Sequence, residues 1–231
     1  EKKGVSSKFI LPDLAILDPL LTTNLPANIT ASTGIDAMVH AIEAFTSINS
    51  NNNPVSKMLS IEALKLLGSS IKTAVFDGHN INARSNMLLG SMLAGKAFAN
   101  SPVAAVHALA YPIGGLFNIS HGLSNSLVLT SVMKFNSKNE ETKKNYAHLA
   151  PYVFKNLDNS KNDEFLCNNF IDGLERLCKE LNLPYKLRDL EIPEEACKLM
   201  ASEAMKQTRL LVNNPRKIEE SDAYNIYKSV W

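Results

Sequence analysis

The sequence predicts an all-α fold preceded by a short β leader, on three observations. Beyond Pro26, apolar residues recur at intervals of three and four. The β-compatible runs all lie before Asp18-Pro19. Proline, asparagine and glycine break the helical stretches from one another. The 231 residues are 45% hydrophobic and 20% charged, enough for a sizeable core and unlike a disordered or collagenous chain.

The leader comes first. Phe9-Ile10 and Ala15-Ile16-Leu17 suit a strand, and Asp18-Pro19 ends it. Lys2 and Lys3 ahead of apolar residues mimic a secretory signal. Pro12 and Asp13 interrupt that run, however, and no small-residue cleavage pattern follows. The better reading is one strand of a sheet whose other strands lie upstream, in a piece of a longer protein. Left unpaired, such a strand is an association hazard: it is expected to be disordered or to pair with another copy of the chain.

The helices follow in order. Residues 33–47 place Ile35, Met38, Val39, Ile42 and Phe45 on one face, with Ser32 or Thr33 as N-cap. Residues 49–54 are a polar loop. Residues 55–75 and 80–100 are helices separated by Asp77-Gly78. Ser101-Pro102 starts a helix running to Tyr111, because proline suits a first turn, and Pro112, Gly114 and Gly115 loosen its end. Ser120 caps a helix over 122–133. Helices are also expected over 146–154, 165–181, 194–206 and 221–231, with breaks at Leu183-Pro184 and Asn213-Asn214-Pro215.

Composition narrows function. A formal net charge of +1 leaves no electrostatic footprint for nucleic acid. No run reaches the roughly 18 apolar residues of a membrane span. Cys167, Cys178 and Cys197 are odd in number and form no CxxC, so they read as small buried hydrophobes in a reducing, cytoplasmic compartment.

One constellation stands out. Asp36 and His40 are four residues apart on a helix and project from one face. His107 lies in a strongly apolar helix, and His121 follows the Pro-Gly-Gly stretch, whose bend can return it toward His107. Three nitrogens and one oxygen suit Fe(II) or Zn(II). Read structurally instead, Asp36 and His40 are a chance pair, His107 is a hydrogen-bonded core residue and His121 a helix cap. The apolar surroundings of Asp36 and His107 favour a metal, because a buried charge needs a strong partner. Glu43, at i+7 from Asp36, is either a partner orienting His40 or a solvated or capping charge. His79, His148, Lys143 and Lys144 read as surface residues.

The segments AILDPLLTTNLPANITASTGIDAMVHAIEAFTS, HALAYPIGGLFNISHG and NNPRKIEESDAYNIYKSVW resemble the iron-containing (group III) alcohol dehydrogenases, in order through nearly the whole chain. The resemblance implies the helical C-terminal domain of the dehydroquinate synthase-like, iron alcohol dehydrogenase fold. Residues 1–25 are then a residual strand and hinge of an N-terminal dinucleotide domain, and 26–231 the metal-binding catalytic domain. The family's glycine-rich phosphate motif is absent from this chain, and no GxGxxG or P-loop replaces it.

The resemblance further implies that Asp36, His40, His107 and His121 ligate the metal, usually Fe(II) and in some relatives Zn(II). It implies that NAD or NADP serves the full-length protein, and that a small alcohol or aldehyde is the substrate. Leu21 and Asn24 match positions lining the dinucleotide near the hinge; read structurally, they are a packed core leucine and a turn former. Tyr111 stands where many members carry a histidine beside the nicotinamide. Tyrosine still donates a hydrogen bond and stacks, but it titrates near pH 10 rather than 6.5, which puts a proton-relay role in doubt. A homodimer is expected, with no nucleic-acid or membrane partner. The competing readings are a helical metallohydrolase, against which the lack of a His-Asp dipeptide counts, and a non-catalytic helical module.

Overall fold

The computed structural model describes residues 7–10, 12–158 and 160–231, and every structural statement below concerns those residues. Lys2, Lys3 and the signal-like opening lie outside them. The helices are α1 (Ala27–Thr46), α2 (Pro54–Phe76), α3 (Ile81–Asn100), α4 (Ala105–Phe117), α5 (His121–Asn136), α6 (Glu140–Val153), α7 (Asp163–Glu180), α8 (Ala196–Met205), the single turn α9 (Thr208–Leu211) and α10 (Glu220–Ser229). None is long and apolar enough to cross a membrane.

The β leader is not formed among the described residues. Lys8–Ile10 is a 3-10 turn, and Ala15, Ile16 and Leu17 adopt no regular structure. A strand is held by ladder bonds to a neighbour, and no described strand offers them. Phe9, Leu14, Ile16, Leu20 and Leu21 are exposed.

α1 sits at the centre, against α2, α3, α5 and α6. It is apolar nearly all round, the pattern of a fully enclosed helix. Its Ile35, Met38 and Ile42 share a core with Leu64, Leu67 and Ile71 of α2, Leu109 and Ile113 of α4 and Leu129 of α5. α1 starts at Ala27, earlier than Ser32 or Thr33 would place it. Neither residue caps: both hydroxyls donate back to the Ile29 carbonyl, at 3.2 and 2.7 Å, as serine and threonine do inside helices. The buried Arg84 of α3 fixes this entry. Its guanidinium donates to Gly78 O at 2.8 Å, Thr30 Oγ1 at 2.7 Å and Leu25 O at 3.2 Å.

α2 begins as its sequence dictates. The Asn53 side chain accepts from the Val55 and Ser56 amides, Ser56 reciprocates, and Pro54 fills the first turn. Asn80 caps α3 through the Ala83 amide. α4 departs from expectation at both ends. It starts at Ala105, beyond Ser101-Pro102, because Ser101 Oγ donates instead to Ala44 O on α1, at 2.6 Å. It also continues through Pro112, Gly114 and Gly115 to Phe117. Proline removes one donor from the helix. Beside the carbonyl it leaves, the Tyr227 hydroxyl donates to Leu109 O at 2.6 Å. The chain turns instead at Asn118, with φ 55°, a left-handed conformation that asparagine tolerates. Ser120 occupies the N-cap position of α5 without a side-chain cap bond, and its carbonyl accepts from Ser124 Oγ.

The Asn213-Asn214 break is a lock as well as a break. Asn214 and Asn136 exchange amide hydrogen bonds at 2.8 and 3.0 Å, and Asn213 donates to Val103 O at 3.1 Å. The three cysteines are buried and unpaired; burial pushes the Cys178 thiol up to about 12 and Cys167 to about 11.

Tyr227→Phe should therefore destabilise the fold by about 1 kcal/mol, the usual worth of a buried hydrogen bond. Urea unfolding measures it; an unchanged midpoint would show that the Tyr227–Leu109 bond adds nothing to stability.

Candidate metal centre

α1, α4 and α5 converge on one cluster. Asp36 and His40 lie one turn apart on α1, His107 in the first turn of α4, and His121 opens α5. One ligand-type atom from each of the four lies within 4.8 Å of all the others. Asp36 Oδ1 is 3.8 Å from His107 Nε2 and 3.7 Å from His121 Nε2. These are too long for hydrogen bonds. They are close to the donor spacing of about 3.4 Å that 2.0–2.2 Å bonds impose on a tetrahedral centre.

His107 Nε2 is buried and has no hydrogen-bond partner. Its other nitrogen, Nδ1, is 2.6 Å from Glu43 Oε2. A carboxylate only accepts, so Nδ1 donates, and Nε2 is the nitrogen directed at the cluster and left to offer a lone pair there. His40 stacks between Phe98, at 4.8 Å between centroids, and His107, at 4.7 Å. Burial, and secondarily the neighbouring His107, lowers the His40 pKa to about 4, which leaves its ring neutral at pH 7. Three imidazole nitrogens and one carboxylate are a donor set for a borderline cation, and the orphaned Nε2 shows that the residues fit one.

Glu43 is neither solvated nor bonded to His40. It is buried at 4% exposure and joins α1 to α4. Its oxygens accept from the Val106 amide at 2.6 Å and the Ala104 amide at 3.0 Å, capping a helix that has no side-chain cap of its own. Asn125 was not signalled by any motif. It is fully buried, its Nδ2 donating to Asp36 Oδ1 at 2.5 Å and lying 3.2 Å from His121 Nε2. The available clue was its position four residues after His121, on the same helix face.

Tyr111 stands one turn after His107, its ring 6.0 Å from that of His121. Leu21 and Asn24 do not join the cluster. Both are exposed on the leader, Leu21 at 84%, so Leu21 is no packed core residue; Asn24 does lie in a turn. His79 and His148 are exposed, as their polar segments suggest.

Residues 30–231 match the Fe-containing alcohol dehydrogenase family, C-terminal. The chain belongs to this family. Long-chain-alcohol dehydrogenase 1 of Geobacillus thermodenitrificans is 38% identical over 100% of this chain and 57% of its own length. Among solved structures, a 1,3-propanediol oxidoreductase superposes with a TM-score of 0.87 at 33% identity, over 93% of this chain and 55% of that one. The sulfoacetaldehyde reductase of Bifidobacterium kashiwanohense, solved with NAD+, gives 0.84 at 26% identity, over 98% and 56%. The chain thus spans little more than half the length of these relatives. As a member of the Fe-containing alcohol dehydrogenase family, it takes the family's helical fold.

Gly122 lets α5 approach α1 closely enough to deliver His121. A Cβ there would meet Ser32 O and lie 2.7 Å from Ser32 C, both backbone atoms that cannot step aside. Gly122→Ala should cost about 1–3 kcal/mol by overpacking, read as a lowered thermal midpoint. A midpoint equal to wild type would mean the two helices are free to part.

Proposed function

We propose that this chain is the metal-holding domain of an alcohol dehydrogenase that interconverts alcohols and aldehydes with NAD or NADP. The observation that supports it most directly is the set of four donor atoms within 4.8 Å, with a buried imidazole nitrogen pointing into it. Asp36, His40, His107 and His121 would hold one Fe(II), or Zn(II) in its place. A divalent cation there supplies Lewis acidity toward the substrate oxygen, favouring the alkoxide from an alcohol and polarising an aldehyde carbonyl.

The chain's own residues prepare that chemistry. Asp36 contributes a single negative charge and the imidazoles none, so the donors leave a divalent centre with net positive charge. Glu43 fixes the tautomer of His107, and Asn125 holds the Asp36 carboxylate. Phe98 keeps one face of His40 dry. Tyr111, beside His121, is placed to hydrogen-bond or stack against the reacting groups. Leu21 and Asn24, exposed on the leader, are read as contacts to the dinucleotide.

In this reading residues 1–25 are the last strand and hinge of a dinucleotide domain, and 26–231 the catalytic metal domain. The exposed apolar leader supports such a neighbour, or a second copy in a homodimer. The three buried, unpaired thiols support a reducing, cytoplasmic compartment. Glycine-rich phosphate-binding motifs do not occur in this chain, so by itself it is expected to show little NAD-linked turnover. A rate within the ordinary enzyme range of about 1–1,000 per second would overturn that expectation.

Anaerobically purified protein should carry about one Fe or Zn per chain, the stoichiometry of a single four-donor site. His107→Ala and Asp36→Asn should each reduce it to background by elemental analysis. Wild-type protein without metal after anaerobic reconstitution would sink the assignment.

A further inference from the structure

We propose that Glu43 is a positioning residue for the metal: it orients His107 and supplies the second buried negative charge that a divalent cation balances. The inference rests on the metal reading above and deepens it.

Three bonds converge on this carboxylate. Oε1 accepts from the Val106 amide at 2.6 Å, and Oε2 from the Ala104 amide at 3.0 Å and from His107 Nδ1 at 2.6 Å. The first two alone would make Glu43 a helix cap. The third bond distinguishes it. Its ring presents the opposite nitrogen, with no partner, to Asp36, His40 and His121. A short bond to an anionic acceptor pins the ring about χ2, excludes the other tautomer and raises the basicity of Nε2.

Charge leads to the same conclusion. The nearest basic groups to the Glu43 and Asp36 carboxylates are the rings of His107 and His121, and no lysine or arginine pairs with either carboxylate among the described residues. Ionised, the two carboxylates would bring a formal charge of −2 to the cluster. The N-terminus of α4 offsets only a fraction of it, equivalent to about half an elementary charge. A divalent cation cancels the remainder, and Glu43 reaches that cation electronically through His107 without touching it.

The test uses the full-length protein that contains this chain, loaded with Co(II) or Zn(II). Glu43→Gln keeps the shape and an acceptor oxygen but removes the charge. It should weaken Co(II) and Zn(II) about 10- to 100-fold in chelator competition, the range for partners of metal-bound histidines. It should also shift the Co(II) visible absorption; the metal-free urea midpoint falls as well, because the amide leaves one of the donors held by the two carboxylate oxygens without an acceptor. A cap alone would move the midpoint and leave the spectrum unchanged, which overturns the proposal. Should the variant not fold, NMR of the wild-type Zn(II) form decides. A downfield, slowly exchanging His107 Nδ1 proton is expected, and metal bound at Nδ1 would refute the role. Equal affinities of wild type and variant overturn the Glu43 proposal alone. Failure of wild type to bind either ion overturns the metal reading, and the proposal with it.

Discussion

Bringing two carboxylates and three imidazoles together at the meeting point of apolar helices is the constraint that governs this molecule. Asp36 and Glu43 both lie on α1, the most enclosed helix, where an uncompensated charge is costly. The surrounding structure is arranged to meet that cost. The α4 amides and His107 Nδ1 take up Glu43, and Asn125 takes up one oxygen of Asp36. The remaining demand falls on the space between the four donors.

That demand shapes the backbone around it. α4 begins where the Glu43 carboxylate receives its amides, not where Pro102 would start a helix. The left-handed Asn118 then turns the chain so that His121 opens α5 facing α1. Gly122 permits the approach. Tyr227, from the far C-terminus, and the Asn136–Asn214 pair hold the outer side of the same corner.

Much of this was legible in the sequence. Helical periodicity located the long helices, because a half-buried helix must repeat its apolar face every turn. The four donors are legible because Asp36 and His40 share a face by spacing alone, a bend after His107 can return His121 toward it, and the family resemblance implies the same set. The failures have a common origin. Local chemistry suggests Ser32 or Thr33 as a cap and Ser101-Pro102 as a helix start, but the hydroxyls of all three donate to backbone carbonyls instead, while Ser120 holds the N-cap position of α5 without a side-chain cap bond. Pro112 with two following glycines reads locally as a loosened helix end, yet α4 continues through it, with the Tyr227 hydroxyl bonded to Leu109 O one residue from the carbonyl that proline leaves. The leader reads as a strand because strand formation depends on a neighbour that local sequence does not encode. For Glu43 the capping reading holds, but the histidine it touches is His107 and not His40, since only the tertiary fold brings the first turn of α4 to it.

The Arg84 contacts carry a consequence for whatever precedes the helical body. A guanidinium from α3 grips Leu25, Thr30 and Gly78 through neutral oxygens, at the point where the chain passes from leader to bundle. The exit direction of the leader is thereby dictated by the bundle. The chain thus leaves the bundle from an anchored point at Leu25, held from the interior by a side chain of α3.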